Sequence, residues 1–350
     1  MATNSSSLPP LGNTPTFCAL IMAGGGGTRF WPVSTEEKPK QFLDILGRGE
    51  SMLQATARRL EQLTTPDHIL AITSQRQTAL AAEQLPQLPA RNIYGEPQRR
   101  NTAPCIALAV AHCLTQPHGE ETVMGVFPSD HLVENQPQFL LLMQKAIAYA
   151  AQHNCMVTLG ITPTRPATEY GYIEAAQQEA QGFQPVRRFR EKPNLETALE
   201  FLKQGDFFWN SGMFVWRVST IAQALRKHLP GLLETMEGLP FHSDPTTFRV
   251  ALEKAYAAIE PISIDYGVLE HADNIVVLPS SIGWSDVGTW QAVRDLLPKD
   301  PQGNVARGQV TFKECSNTIA WLPEGVEACL EGLEGVAVAL AGGKLLVKKL

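Results

Sequence analysis

The sequence contains no pair of cysteines spaced as CxxC, and none of its eight histidines sits in an HExxH or similar metal-binding pattern. Its six cysteines (Cys18, Cys105, Cys113, Cys155, Cys315 and Cys329) are scattered, several of them inside apolar runs. Free, mostly buried thiols are expected, not a disulfide framework. There is no basic excess: the formal net charge is −6. That argues against a general nucleic-acid binder, though a few local cations suffice to hold an anionic small molecule. No stretch approaches the roughly 18 consecutive apolar residues of a membrane span. The first sixteen residues lack Lys, Arg and any long apolar run, so they do not read as a signal peptide. Asn4 to Pro15 is rich in Ser and Pro, and residues 1–16 are expected to form a disordered lead-in. The expectation is a soluble cytoplasmic protein with neither nucleic acid nor membrane as a partner.

What the sequence does have is a sizeable apolar fraction, 44% of 350 residues, arranged in a βα rhythm. Strands are predicted at Cys18–Ala23, His68–Thr73, Thr122–Phe127, Cys155–Leu159, Gly212–Val218 and Asn274–Leu278, with a strand-like stretch over Tyr170–Arg190. Helices are predicted at Ser51–Leu63, Ala103–Leu114, Pro137–Gln152, Leu195–Gln204, Thr220–His228 and Thr246–Ile259. Ser51 and Gln54 are spaced as a capping box. Asn194 and Gly205 are placed as start and stop signals. The alternation predicts an α/β fold with a mainly parallel sheet and helices on both faces. After about Asn304 helix-length patterns cease, and short apolar segments between glycines predict a small β-rich appendage. The expected divisions are a lead-in over 1–16, a catalytic domain over 17–300 and a β-helix-like C-terminal domain over 301–350.

The first predicted strand runs directly into Gly24-Gly-Gly-Gly27-Thr28-Arg29, at the sheet edge where open α/β folds bind ligands. Glycine backbone can wrap closely on a polyphosphate and point its N–H groups inward. Two familiar loops are excluded. A P-loop requires a Lys-Ser or Lys-Thr that is missing here, and a GxGxxG fingerprint requires glycine where Arg29 or Phe30 stands. Arg29 and Lys40 lie in one non-helical stretch with Lys38. Nucleotidyl transfer develops negative charge on an α-phosphate and on departing pyrophosphate, which positioned cations stabilise. A sugar phosphate is already an anion, so such a reaction needs no general base. Taken singly, the glycines also fit a structural turn, the lysines solvated loop charges, and an aspartate after a strand a local cap.

Further motifs appear in a fixed order. Ala23–Ser34 with Lys38-Pro-Lys-Gln-Phe42 is followed by Arg100-Asn-Thr-Ala-Pro104, Pro128-Ser-Asp-His131, Glu169-Tyr-Gly-Tyr-Ile173, Glu191-Lys-Pro193, Asn210-Ser-Gly-Met-Phe214 and Trp284-Ser-Asp-Val-Gly288. Over about residues 17 to 345 this set resembles the mannose-1-phosphate guanylyltransferases, also called GDP-mannose pyrophosphorylases. The resemblance implies a Rossmann-like, mixed but mainly parallel sheet of the nucleotide-diphospho-sugar transferase type.

It also implies roles. Gly24, Gly25, Gly26 and Thr28 would hold the nucleoside triphosphate, with Arg29 stabilising the transition state and Lys40 contacting the α-phosphate and departing pyrophosphate. Glu96 to Thr102 would face the base, with Arg100, Asn101 and Thr102 as the matching positions. Gly171, Glu191 and Asn210 would bind the sugar hydroxyls and Lys192 the sugar's phosphate. Asp130 and Asp286 would hold Mg²⁺, which suits one or two carboxylates completed by substrate oxygens and water. His131 is read as structural, since this chemistry offers it no proton to move. Glu169 departs from the glycine usual in the family and leaves the sugar side open. The chain ends before the isomerase domain of the bifunctional branch, so a transferase alone is expected.

The reaction implied is GTP plus α-D-mannose 1-phosphate giving GDP-mannose and pyrophosphate. The alternatives are another sugar 1-phosphate or NTP, or a non-catalytic nucleotide-sugar sensor. Joint retention of Arg29, Lys40, Asp130, Lys192 and Asp286 argues against the sensor. The β-rich tail is a candidate dimerisation surface, and a homodimer is expected.

Overall fold

In a computed structural model of the protein, residues 15–176 and 182–350 are described. Most of the lead-in expected over 1–16 therefore lies outside the described residues, as does the middle of the strand-like stretch expected over Tyr170–Arg190. The elements are, in order, β1 (Phe17–Ala23), α1 (Met52–Leu60), β2 (Ile69–Ser74), α2 (Thr78–Gln84), β3 (Ile93–Glu96), α3 (Thr102–Leu114), β4 (Val123–Pro128), β5 (Leu132–Val133), α4 (Gln136–Gln152) and β6 (Met156–Ile161). Next come β7 (Tyr172–Ala175), β8 (Gln184–Arg190), α5 (Leu195–Gln204), β9 (Phe207–Arg217), α6 (Val218–His228), α7 (Leu232–Glu237), α8 (Pro245–Ala258), β10 (Ile275–Ser280), β11 (Trp284–Ser285) and α9 (Trp290–Leu296). Six further strands close the chain: β12 (Val305–Arg307), β13 (Gln309–Lys313), β14 (Ile319–Trp321), β15 (Glu327–Glu331), β16 (Val336–Ala341) and β17 (Lys344–Lys349).

A nine-stranded sheet in the order β3-β2-β1-β4-β9-β6-β10-β8-β7 forms the centre. Seven strands run one way, and only β8 and β9 run against them. The sheet is thus mixed but mainly parallel. Alternation along β1 explains how it is buried on both faces: Ala19, Ile21 and Ala23 point into one apolar cluster with Leu53, Leu60, Phe139 and Met143. Cys18 and Leu20 point into the other, with Ile106, Ile221, Leu233 and Tyr256.

Local rules account for the clearest boundaries. Ser51 and Gln54 form the reciprocal capping box that opens α1. The Asn194 side chain accepts the Thr197 N–H at the start of α5, and Gly205 ends it at φ 78°. The short elements α2, β3, α7 and α9 were not foreseen. Each spans at most seven residues, less than two full helical turns or a few alternations, which is too little for a periodic signal.

Beyond α9 the chain coils in a β-helix-like manner. Strand β14 lies parallel on β12, β15 on β13 and β16 on β14, and β17 returns antiparallel on β16. These strands share a third apolar cluster with the segment after the glycine run, in which Phe30, Ile45, Trp290, Val305 and Ile319 are all buried. Trp290 is its centre: its ring meets Phe30 edge-on at 5.1 Å and Trp321 at 5.9 Å. Arg307 adds a bond to the Asp44 carbonyl while its guanidinium stacks 4.1 Å over Trp321. The C-terminal strands therefore brace the loop that follows the glycine run. All six cysteines are free, five buried and Cys329 exposed. Among the described residues no helix is long and apolar enough to cross a membrane.

Trp290→Ala should cost about 3–5 kcal/mol of stability, the usual range for removing a buried tryptophan. Trp290→Phe should cost markedly less, because the buried Nε1 has no hydrogen-bond partner to lose among the described residues. Urea midpoints of the two variants at unchanged m-value check this.

Candidate active site

Strands of both directions bring the motif residues together at one edge. Gly24 follows β1, Glu96 ends β3 and Asp130 stands two residues beyond β4, where the Ser129 N–H donates to the Met22 carbonyl. Gly171 precedes β7, Glu191 follows β8, and Asn210 lies in β9 opposite Gly160 near the end of β6.

The glycine run is held from below. Gln41 Nε2 donates to the Ala23 carbonyl at 2.7 Å and to the Gly25 carbonyl at 3.1 Å. Gly27 has φ 50°, and a Cβ there would collide with the Lys40 amide and stand 2.7 Å from Pro39 Cβ. Only glycine both takes this turn and lets the Lys38–Gln41 segment close against it. Thr28 and Arg29 then sit exposed on a short helical turn whose Phe30 is anchored in the core.

Lys40 is the centre of the site. Its side chain is 5% exposed, and Nζ pairs with Asp130 Oδ2 at 2.9 Å and donates to the Asp286 carbonyl at 2.5 Å. Both aspartates reach the Lys40 ammonium because β5 and β11 pair antiparallel, setting Leu132 opposite Ser285. Burial opposes the charged form of Asp130, but the Lys40 ammonium, His131 and hydrogen bonds together hold its carboxyl below the ordinary range. On Asp286, Oδ1 accepts from the Tyr170 hydroxyl at 2.7 Å and from the Gly288 N–H at 3.2 Å. Its Oδ2 accepts no hydrogen bond among the described residues. A Cβ on Gly288 would stand 2.7 Å from that oxygen and 3.3 Å from Arg29 Nη1, so Arg29 also borders Asp286.

His131, expected to be structural, lies beside the site, with Nε2 3.8 Å from Asp130 Oδ1. Its Nδ1 accepts the Trp284 indole N–H at 3.2 Å, and burial lowers the ring's proton affinity against the opposing pull of the Asp130 carboxylate.

The segment expected to face the base divides. The Arg100 guanidinium bonds to the Tyr256 carbonyl and to Gln98, Asn101 caps α3 at φ 68°, and the Thr102 hydroxyl accepts the Ile264 N–H. These contacts tie the segment to the start of α3 and the end of α8. Glu96 and Arg99 are the side chains that reach the glycines. A Cβ on Gly24 would lie 2.8 Å from Glu96 Oε2, and one on Gly26 would lie 2.8 Å from Arg99 Nη1. Glu96 is 8% exposed and accepts the Tyr256 hydroxyl at 2.9 Å; burial pushes its carboxyl up to about 7.

On the far side, Gly171 leaves room for Glu191, whose Oε2 would collide with any Cβ at that glycine, with Asn210 3.5 Å away. The Asn210 N–H donates to the Gly171 carbonyl, and its side-chain amide donates to Asp265 Oδ1 at 2.8 Å. Burial first, then the neighbouring Glu191 charge, raises the Asp265 carboxyl to about 6. Lys192 takes φ 46° and pairs with Glu191 at 2.9 Å, its side chain 63% exposed. Glu169 pairs with Arg165, whose guanidinium lies over Tyr170 and Trp209 at 5.4 and 5.7 Å. The departure at position 169 thus fixes a cation behind the aromatic wall. Asp265 was missed altogether, while Gln41, Arg99 and Tyr170 stood inside the quoted motifs or the base-facing segment without a role of their own. None carries a periodic or spacing signal of its own, and Asp265 lies in a wide, single-turn helix.

Residues 18–303 match the nucleotidyl transferase family. The chain belongs to that family. Among relatives of this nucleotidyl transferase, the mannose-1-phosphate guanylyltransferase RfbM of Salmonella typhimurium is 38% identical over 305 residues. The match covers 86% of this chain and 63% of RfbM, so the chain spans less than two thirds of that relative's length. A mannose-1-phosphate guanylyltransferase of Escherichia coli is 36% identical over 94% of this chain and 72% of its own length. Of solved structures, one described as a mannose-1-phosphate geranyltransferase from Thermus thermophilus superposes at TM-score 0.85, with 35% identity and 95% of both chains covered.

The raised Glu96 carboxyl makes stability fall with pH. Below its ordinary value of 4.5 the group is neutral folded and unfolded; between 4.5 and about 7 the unfolded chain ionises first. The penalty reaches on the order of 3 kcal/mol above about pH 7. Glu96→Gln should remove it, so that thermal midpoints of variant and parent converge at pH 4 and separate by several degrees at pH 8.

Proposed function

We propose that this chain transfers GMP from GTP to α-D-mannose 1-phosphate, releasing pyrophosphate and forming GDP-mannose. The observation that carries the reading is Lys40: a buried ammonium bridging the Asp130 carboxylate and the Asp286 backbone beneath a glycine run flanked by Arg29. Such a site holds phosphate oxygens and neutralises charge without any nucleophile or general base of its own.

In this reading the glycine N–H groups and Arg29 receive the triphosphate, and Glu96 and Arg99 border it. The sugar hydroxyls donate to Glu191 and Asp265 with Asn210 between them, while Lys192 turns from Glu191 to the sugar phosphate. A phosphate oxygen of the sugar attacks the α-phosphorus in line. The bond from the α-phosphorus to the oxygen bridging it to the β-phosphate breaks, and that oxygen leaves on pyrophosphate with the electron pair. Arg29 and Lys40 hold the charge that grows on both groups.

The donor set fits Mg²⁺. Asp130 and Asp286 share one end of the β5–β11 ribbon, and Asp286 Oδ2 accepts no hydrogen bond among the described residues. That is the chemistry of a hard cation held by two carboxylates and completed by phosphate oxygens and water. Bound there, Mg²⁺ would neutralise phosphate charge. The choice of guanine and mannose is supported by the named activities of the relatives. Five buried free thiols favour a reducing, cytoplasmic setting, and exposed Leu345 and Val347 on β17 favour a homodimer through the C-terminal strands.

Pyrophosphate release over a matrix of NTPs and sugar 1-phosphates should be greatest for GTP with mannose 1-phosphate. Strong release by a different pair, with silence for that one, would reassign the substrates; silence throughout would favour a non-catalytic nucleotide-sugar sensor. Arg29→Ala should lower kcat about 100- to 1,000-fold while calorimetric GTP binding largely survives. Chelation should abolish turnover, Mg²⁺ should restore it, and Asp130→Asn should raise the Mg²⁺ concentration needed for half-maximal rate.

A further inference from the structure

A cavity of about 850 Å³ opens between β3, the carboxyl end of α3 and the start of α8. None of the residues placed above against the nucleotide or the sugar phosphate lines it. Its volume is that of a small-molecule site. One wall is a cluster of half-buried rings: Tyr94, Phe241 and Phe248 have centroids 5.4 to 6.4 Å apart. The Tyr94 hydroxyl is bonded to His112 Nδ1 at 2.7 Å, which fixes both rings.

Among the described residues the lining carries two arginines and one carboxylate. Arg91 is paired with Asp67 at 2.9 Å, whereas Arg249 has no ion-pair partner among the described residues, and Asp67 is the only carboxylate in the lining. An aromatic wall beside an unneutralised guanidinium suits a planar ring carrying an anionic group.

The elements that enclose the cavity are those that support the glycine run. Strand β3 ends at Glu96, against Gly24, and α8 carries the Tyr256 hydroxyl that Glu96 accepts. We propose that this cavity is an effector site for a planar aromatic anion of nucleotide size, and that its occupancy changes nucleotide binding through Glu96. The second half rests on the nucleotide-site reading above; the first does not.

The test titrates the full chain with 1-anilinonaphthalene-8-sulfonate, an aromatic anion, and follows its fluorescence. One saturable site is expected. Ser243→Trp, which fills the cavity from an exposed position, and Arg249→Glu should each weaken it at least about tenfold. Val250→Trp, exposed but outside the lining, should leave it unchanged. The probe should also shift KM for GTP severalfold in the parent and not in Ser243→Trp. Failure of the probe to bind, or equal binding by Ser243→Trp and parent, overturns the site. Binding that Ser243→Trp abolishes, with KM unmoved, overturns the effector role. Fluorescence reads the site even if no nucleotide is turned over, so failure of the two readings can be told apart.

Discussion

The candidate site depends on a single buried ammonium. Lys40 reaches a carboxylate from the end of β4 and a carbonyl from the turn after β11, two segments far apart in sequence. Neutralising Asp130 lets a carboxylate remain ionised in a half-buried position, where alone it would carry a desolvation penalty. The same contact sets the distance between the glycine run, which closes directly on the Lys40 backbone at Gly27, and the aspartates on the β5–β11 ribbon. Removing one partner of such a pair leaves an uncompensated charge, so the interaction is structural and electrostatic at once.

Around that centre the molecule is built as two half-sites sharing one wall. Tyr170 donates to Asp286 on the Lys40 side, and the next residue, Gly171, leaves space on the other side for Glu191. Two carboxyls with raised proton affinity flank the arrangement, Glu96 beneath the glycines and Asp265 behind Asn210. Burial is the main cause of both, and donors from a ligand could replace the water each has lost. The loop that carries Arg29 is not self-supporting. Phe30 is held by Trp290, which in turn rests on Trp321 of the C-terminal coil, so strands far from the chemistry keep the cation in place.

Much of this organisation was legible in the sequence because it rests on local rules. The capping box at Ser51, the Asn194 and Gly205 signals of α5 and the alternation through β1 each involve a few neighbouring residues. The run of motifs likewise named Lys40, Asp130 and Asp286. Other features were not legible. The segment Glu96–Thr102 was read as base-facing through Arg100, Asn101 and Thr102. In the fold, the Arg100 guanidinium bonds to the Tyr256 carbonyl, and Glu96 and Arg99 lie against the glycines. Adjacent residues in an irregular segment point in directions that no periodicity encodes.

The sequence by itself determined the α/β alternation, the flexible glycine run at the end of the first strand, and the complement of cations and carboxylates available for phosphate chemistry. Those follow from side-chain size, charge and hydrogen-bonding capacity over a few residues. Only the tertiary structure decided which of these groups meet, how buried each becomes and therefore which hold their protons. The pairing of β5 with β11, the antiparallel insertion of β9 and the docking of the C-terminal coil on Trp290 are contacts between distant segments. Their free energy comes from burial and desolvation, which have no value until the chain has closed around them.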